Sequence, residues 1–180
     1  MSCYALLHYA RYPITAILWA YNFELPTRVL MTHTVTNTVD TLVTAAGTLW
    51  FSGNRMANFD TGCEMAHRSS FEVVGETGLI RVDDMVGGQG RSGDFGAYER
   101  RFIGSGTFIQ GDAMGKDQVV EAEPSDYAER LAFDFSAAVL SGTPDPQWPR
   151  RSLAVHRVIT ALHESYKAGH TVISLADLSA

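Results

Sequence analysis

The chain has 180 residues, 14 Lys and Arg against 20 Asp and Glu, a formal charge of −6 and two cysteines. A chain of this length buries roughly 70% of its unfolded surface, so it needs neither disulfides nor a structural metal to hold a core, and a disulfide-rich secreted scaffold is excluded. No basic run exceeds the pairs Arg100-Arg101 and Arg150-Arg151, so the cationic stripe that grips a phosphate backbone is missing and no nucleic-acid partner is expected.

In chain order, residues 13–22 predict a helix: Pro13 suits a first helical position, and Ile14, Ile17, Leu18 and Tyr21 repeat at helical spacing. The apolar run 14–20 is too short to cross a bilayer, which needs about 20 residues, so neither a signal peptide nor a membrane partner is expected. Glu24-Leu25-Pro26 ends the helix. A β-rich stretch follows, with Val29, Met31, His33 and Val35 alternating against Arg28, Thr32 and Thr34 and then a Thr-, Val- and Leu-rich run over 40–51. This alternation sets His33 on the apolar side, as a hydrogen-bonded core histidine. Ser52-Gly53-Asn54 turns the chain into 55–66, and Gly75-Glu76-Thr77-Gly78 joins 71–74 to 79–82; short turns between strands predict hairpins and a mainly antiparallel sheet. The glycine-dense segment 87–96 reads as a loop, with edge strands over 97–103 and 118–122.

The last third changes period from 2 to 3.6. Asp126 and Glu129 have capping-box spacing, Tyr127, Leu131, Phe135 and Ala138 share one face, and Gly142 stops that helix. A Pro-rich loop over 144–149 leads to a second helix with the stripe Val155, Ile159, Leu162 and Tyr166, ended by Gly169, and 171–175 closes as a short strand. The expected class is α+β: an open, mainly antiparallel sheet with helices packed on one face, one domain over 13–180 with a short segment over 1–12 before it. Cys3 and Cys63, without CxxC spacing, read as reduced thiols of a cytoplasmic protein.

Several motifs invite chemistry. Gly88-Gln89-Gly90-Arg91-Ser92-Gly93 matches the GxGxxG dinucleotide pattern, but the following Asp94-Phe95-Gly96-Ala97-Tyr98 does not open the helix whose N-terminus must hold the pyrophosphate, so this chain alone is expected to bind no cofactor. His156 and His163 lie two helical turns apart, too far to grip one metal between them, and no metal site is expected. His8 and Tyr12, four apart with Arg11 between them, have the spacing of a proton-relay pair, though taken alone such a pair is more often surface decoration.

The order helix, Glu-Leu-Pro, long strands, two late helices and a closing Thr-Val-Ile-Ser-Leu resembles the C-terminal domain of the glucose–fructose oxidoreductase, inositol dehydrogenase and MocA (Gfo/Idh/MocA) family. The most specific piece is Phe71-Glu72-Val73-Val74-Gly75-Glu76-Thr77-Gly78-Leu79-Ile80-Arg81-Val82, which resembles the family's E-V-x-G-x-x-G-x-I-x-V hairpin. The resemblance runs from about Ala5 to Leu175. It implies a parent enzyme with a nucleotide-binding Rossmann domain that takes NAD or NADP and supplies a Lys from a Glu-Lys-Pro motif, and a second domain that lines the substrate side and oligomerises. No Glu-Lys-Pro occurs here and no βαβ pattern precedes residue 13, so the chain resembles the second half alone, and the resemblance implies that residues 1–12 are the remnant of an inter-domain junction.

At the junction, residues 3–14 line up without a gap on the family's Gly-Gly-x-Leu-x-Asp-x-Gly-x-Tyr. Tyr12 then takes the place of the tyrosine that contacts the reacting substrate oxygen, with His8 as its neighbour or relay and Arg11 and Asn22 as further substrate contacts. His8 stands where the family has Asp, Ala10 where it has Gly, and Cys3-Tyr4 where it has Gly-Gly; these departures bear on whether catalysis of the family type is retained. The resemblance therefore implies the substrate-side, dimerising domain of an NAD(P)-dependent sugar or polyol oxidoreductase, inactive without its Rossmann half. Its partners would be a second copy of the chain, a separate Rossmann domain and a small-molecule substrate. The competing expectation is a non-enzymatic oligomerisation or ligand-binding module that keeps the fold.

Overall fold

The structure is a computed structural model that describes residues 8–66, 68–82, 85, 107–112, 117–121 and 127–179. The elements are α1 (Arg11–Ala20), β1 (Arg28–Thr36), β2 (Leu42–Trp50), β3 (Met56–Gly62), β4 (Phe71–Val74), β5 (Gly78–Val82), β6 (Thr107–Asp112), β7 (Asp117–Glu121), α2 (Tyr127–Ser141), α3 (Gln147–Lys167) and β8 (Ile173–Ser174). The class is α+β with antiparallel sheet, as the change of period predicts, and the ladders form two four-stranded sheets, β3-β2-β1-β8 and β4-β5-β6-β7. The chain falls into two compact units, residues 1–66 with 146–180 and residues 67–145.

In the first unit α1 and α3 cover the sheet. Pro13 lies in the first turn of α1, where its missing N–H costs nothing, and the first i→i−4 bond follows at once, from the Ile14 N–H to the Ala10 carbonyl at 3.0 Å. Ile14, Ile17 and Leu18 are buried from this helix, Val158, Ile159 and Leu162 from α3, and Val29, Met31 and Leu49 from the strands. Together they form one core cluster. Helix α3 lies over β1 and against α1, which in turn reaches β3. Burying about ten such side chains at about 1.5–3 kcal/mol each is the main favourable term in this unit.

His33 is exposed, contrary to the alternation, and so is Val35. The cause is a bulge: Met31 pairs with Gly47 and His33 with Ala46, so Thr32 is an extra residue and every later side chain changes face. Gly47 sits where the ladder is tightest, since a Cβ there would meet Phe59 Cε1 at 2.7 Å and the Leu30 carbonyl oxygen at 2.8 Å. Beyond Val29, where pairing with β8 ends, the open edge of β1 is closed by side chains. The Met31 N–H donates to Ser165 Oγ at 2.9 Å, Ser165 Oγ donates to the Thr171 carbonyl at 2.5 Å, and His170 Nδ1 donates to the Met31 carbonyl at 2.8 Å. A carbonyl can only accept, so Nδ1 carries the proton.

The second unit holds a meander in which each strand pairs antiparallel with the next. Its first hairpin closes with the Gly75 N–H on the Gly78 carbonyl at 2.8 Å. Among the described strands β7 comes last in its sheet, over residues close to the expected strand 118–122; the other expected edge strand, over 97–103, the glycine segment 87–96 and the capping-box Asp126 lie outside the described residues. Helix α2 ends at Gly142, whose φ of 63° is left-handed. Of the expected stripe, Leu131 and Phe135 are exposed and Ala138 is half-buried, and Phe133 and Leu140 on the opposite side of the helix are exposed too. No helix among the described residues is long and apolar enough to cross a membrane.

Candidate functional site

The N-terminal end of α1 carries three of the four candidate residues. His8 and Tyr9 form a π-type turn leading into the helix, a geometry often found at functional positions. Ala10 behind them is fully buried and fixes the turn on the core, while His8, Arg11 and Tyr12 face outwards. Arg11 Nη2 donates to the Tyr12 hydroxyl at 2.9 Å, and its guanidinium lies 4.8 Å from the Tyr12 ring centroid. Arginine has no acceptor, so the phenol oxygen accepts here and its own proton stays available to a third group. His8 packs edge-on against Tyr9 at 5.0 Å between centroids. The structure thus brings Arg11 to Tyr12 and His8 to Tyr9.

Asn22 lies apart from them. It follows the C-terminal end of α1, ten residues beyond Tyr12 and so about 15 Å along the helix axis. Asn22 and Phe23 both have positive φ, 51° and 58°, and the Phe23 N–H reaches back to the Leu18 carbonyl at 2.6 Å. This left-handed turn sets the two residues against one side of α3. There Asn22, Phe23, Gln147, Arg150, Arg151 and Ala154 line a shallow cleft of about 260 Å³. Five of these residues, all but Asn22, were not candidates from the sequence, and four of the five lie on α3. The available signal was the spacing of Gln147, Arg150, Arg151 and Ala154 at i, i+3, i+4 and i+7, which places them on one helical face.

Beside that turn, Glu24 staples α1 to the β2–β3 connection. Ser52 Oγ donates to its carboxylate at 2.6 Å and Arg55 Nη2 at 2.7 Å. The Ser52 hydrogen bond, then the Arg55 guanidinium, hold the Glu24 carboxyl below the usual carboxylate range. His156 is exposed and His163 stacks on Tyr166 at 6.3 Å; among the described residues no cluster of His, Cys, Asp and Glu is placed to hold a metal.

No protein-family profile matches the chain, and no curated protein matches it at a significant level. Solved structures do share its fold. A 3-ketoreductase from Actinomadura kijaniata, solved with NADP and TDP-benzene, matches with a TM-score of 0.64 and 21% identity over 88% of this chain and 46% of its own. A protein assigned as an NADPH-dependent oxidoreductase from Desulfitobacterium hafniense matches with a TM-score of 0.74 and 16% identity over 98% and 49%. An oxidoreductase from Agrobacterium radiobacter, in complex with NAD, L-tartaric acid and magnesium, gives 0.68 and 13% over 99% and 51%. The chain therefore has the fold found in part of several NAD(P)-dependent oxidoreductases and spans about half the length of each.

A dinucleotide requires a strand, a glycine turn and a helix N-terminus in succession. The described strands pair only antiparallel, and the GxGxxG match at 88–93 lies outside the described residues. Among the described residues no strand runs through a glycine turn directly into a helix, the unit that holds a dinucleotide in a Rossmann fold.

Proposed function

We propose that this chain is the substrate-side domain of an NAD(P)-dependent oxidoreductase of the Gfo/Idh/MocA type, acting on a secondary alcohol or the corresponding carbonyl of a sugar or polyol. The observation that carries this reading is the extent of the structural match. Nearly the whole chain superimposes on about half of each oxidoreductase, which is the relation expected of one domain of a two-domain enzyme. In this reading the dinucleotide, which would supply the hydride, belongs to a nucleotide-binding domain that pairs with this one. The contribution of this chain is to hold the substrate oxygen and move its proton. Tyr12 suits that role, because its oxygen is fixed by the Arg11 donor and its O–H is free to meet the reacting oxygen. His8, one turn earlier, is the exchange point between that site and solvent.

The test is a fusion of this chain to a related nucleotide-binding domain, assayed by nicotinamide absorbance with a panel of polyols and ketoses. Activity is expected only in the fusion, and Tyr12→Phe should lower kcat by about 10²–10⁴-fold, the usual worth of a positioned proton donor. His8→Asp, which restores the residue usual in the family, should preserve or raise it. An active fusion indifferent to Tyr12→Phe would refute the site. A fusion that binds dinucleotide but turns over none of the panel would favour a non-enzymatic module.

A further inference from the structure

We infer that the cleft between the C-terminal turn of α1 and the first turns of α3 is a binding site for a phosphate monoester, whether or not the chain belongs to an oxidoreductase. The chain carries a net charge of −6, yet the lining of this cleft holds two guanidiniums, two carboxamides, one aromatic ring, one Ala and no carboxylate. Helical spacing puts Arg150 and Arg151 on the same face as Gln147, with Ala154 leaving room below them.

The two arginines differ in a way that suits recognition. Arg151 is held in place: its Nη2 donates to Gln147 Oε1 at 2.6 Å, and its guanidinium lies 5.0 Å from the Phe23 ring centroid. A side chain already ordered loses less rotamer freedom when a ligand arrives. Arg150 is exposed and has no hydrogen-bond or ion-pair partner among the described residues, so all of its donors are open. Each guanidinium offers five N–H groups in a fork that matches an oxyanion, and only one of those on Arg151 goes to Gln147. Opposite them stands Asn22, whose amide is a further donor, and the Phe23 ring gives an apolar surface beside the anion.

Charge selects the ligand class. Two unneutralised guanidiniums side by side repel, and a phosphate monoester, at about −1.5 to −2 near neutral pH, offsets both, whereas a single carboxylate leaves one unmatched. Size limits the rest of the molecule. About 260 Å³ is below the roughly 300–1,000 Å³ of sites for drug-sized ligands, which fits a phosphate with a body of a few carbons and leaves no space for a whole dinucleotide.

The experiment is a titration of the full chain with glycerol 3-phosphate, inorganic phosphate, glycerol and acetate, followed by NMR at the arginine Nε–H signals and the Asn22 and Phe23 amides. Glycerol 3-phosphate should shift the signals of Arg150, Arg151, Asn22 and Phe23 in a saturable way, with a millimolar Kd that weakens as salt rises. Arg150→Gln and Arg151→Gln should each weaken binding by about tenfold or more. Asn22→Asp should abolish it by adding a negative charge, and Arg157→Gln, on the same helix but outside the cleft, should leave it unchanged. All four positions are exposed, and thermal melts that coincide with the parent chain check that each variant is folded. The inference is overturned if no saturable shift occurs, if shifts spread equally over Arg28, Arg55 and Arg157, if acetate binds as well as the ester, or if inorganic phosphate binds in the cleft while the ester does not.

Discussion

Replacing Ser165 with Ala removes the side chain that closes the open edge of β1. Ser165 is fully buried, and its oxygen accepts from the Met31 N–H at 2.9 Å while donating to the Thr171 carbonyl at 2.5 Å. In the Ala variant the Met31 N–H is left desolvated and unpaired, a cost of about 1–3 kcal/mol, and the bond to Thr171 adds about 0.5–1.5 kcal/mol. The expected destabilisation is about 1.5–4.5 kcal/mol, a large fraction of a typical net stability of about 5–15 kcal/mol. Urea unfolding followed by circular dichroism should show a lower midpoint at unchanged slope. Native-state hydrogen exchange should show selective loss of protection at the Met31 amide. Ser141→Ala removes only exposed bonds, one to the Ala138 carbonyl and two from Thr143, and should shift stability by less than about 0.5 kcal/mol. If Ser165→Ala were as mild as Ser141→Ala and Met31 kept its protection, the edge of β1 would be held by something other than this serine.

Gly47→Ala should destabilise by about 1–3 kcal/mol, because the new methyl meets the Leu30 carbonyl, which belongs to the backbone and cannot turn aside; a melting temperature equal to or above the parent's would show that the bulge relaxes to admit it. The folded pKa of Glu24 lies below its ordinary 4.5, so the stabilisation by its staple is complete above about that pH and is lost as pH falls through the lowered folded value. The stability difference between the parent and Glu24→Gln should therefore shrink in acid, and a difference that grew there would reverse the assignment. A second copy of the chain is the proposed partner, because the strand sequence over 39–51 places apolar or Thr residues on both faces and a face without helices would leave that surface in water; light scattering at tens of micromolar should give twice the chain mass or more, and a monodisperse monomer would defeat this expectation.

Features set by neighbours in sequence were legible without the structure. The Gly75–Gly78 hairpin, the α3 stripe of Val155, Ile159 and Leu162, and the helix stops at Gly142 and Gly169 all follow from preferences that act over four residues or fewer. The hydrogen bond from Arg11 to Tyr12 joins adjacent residues, whereas the pair read from the sequence was His8 with Tyr12. The sheet alternation was read correctly up to Met31. Its reversal at His33 was invisible because the bulge lies in the pairing of β1 with β2, which no local pattern in β1 can sense.

The same limit hid the cleft and the Ser165 contact. Asn22 and Arg150, like Met31 and Ser165, lie more than a hundred residues apart in sequence, and only the packing of α3 over β1 and α1 brings each pair together. Composition and period chose the elements, because burying one face of each is a local requirement. Which polar groups those elements leave facing one another was decided when the helices settled on the sheet, since hydrogen bonds and charge pairs depend on distances that exist only once the chain has closed on itself.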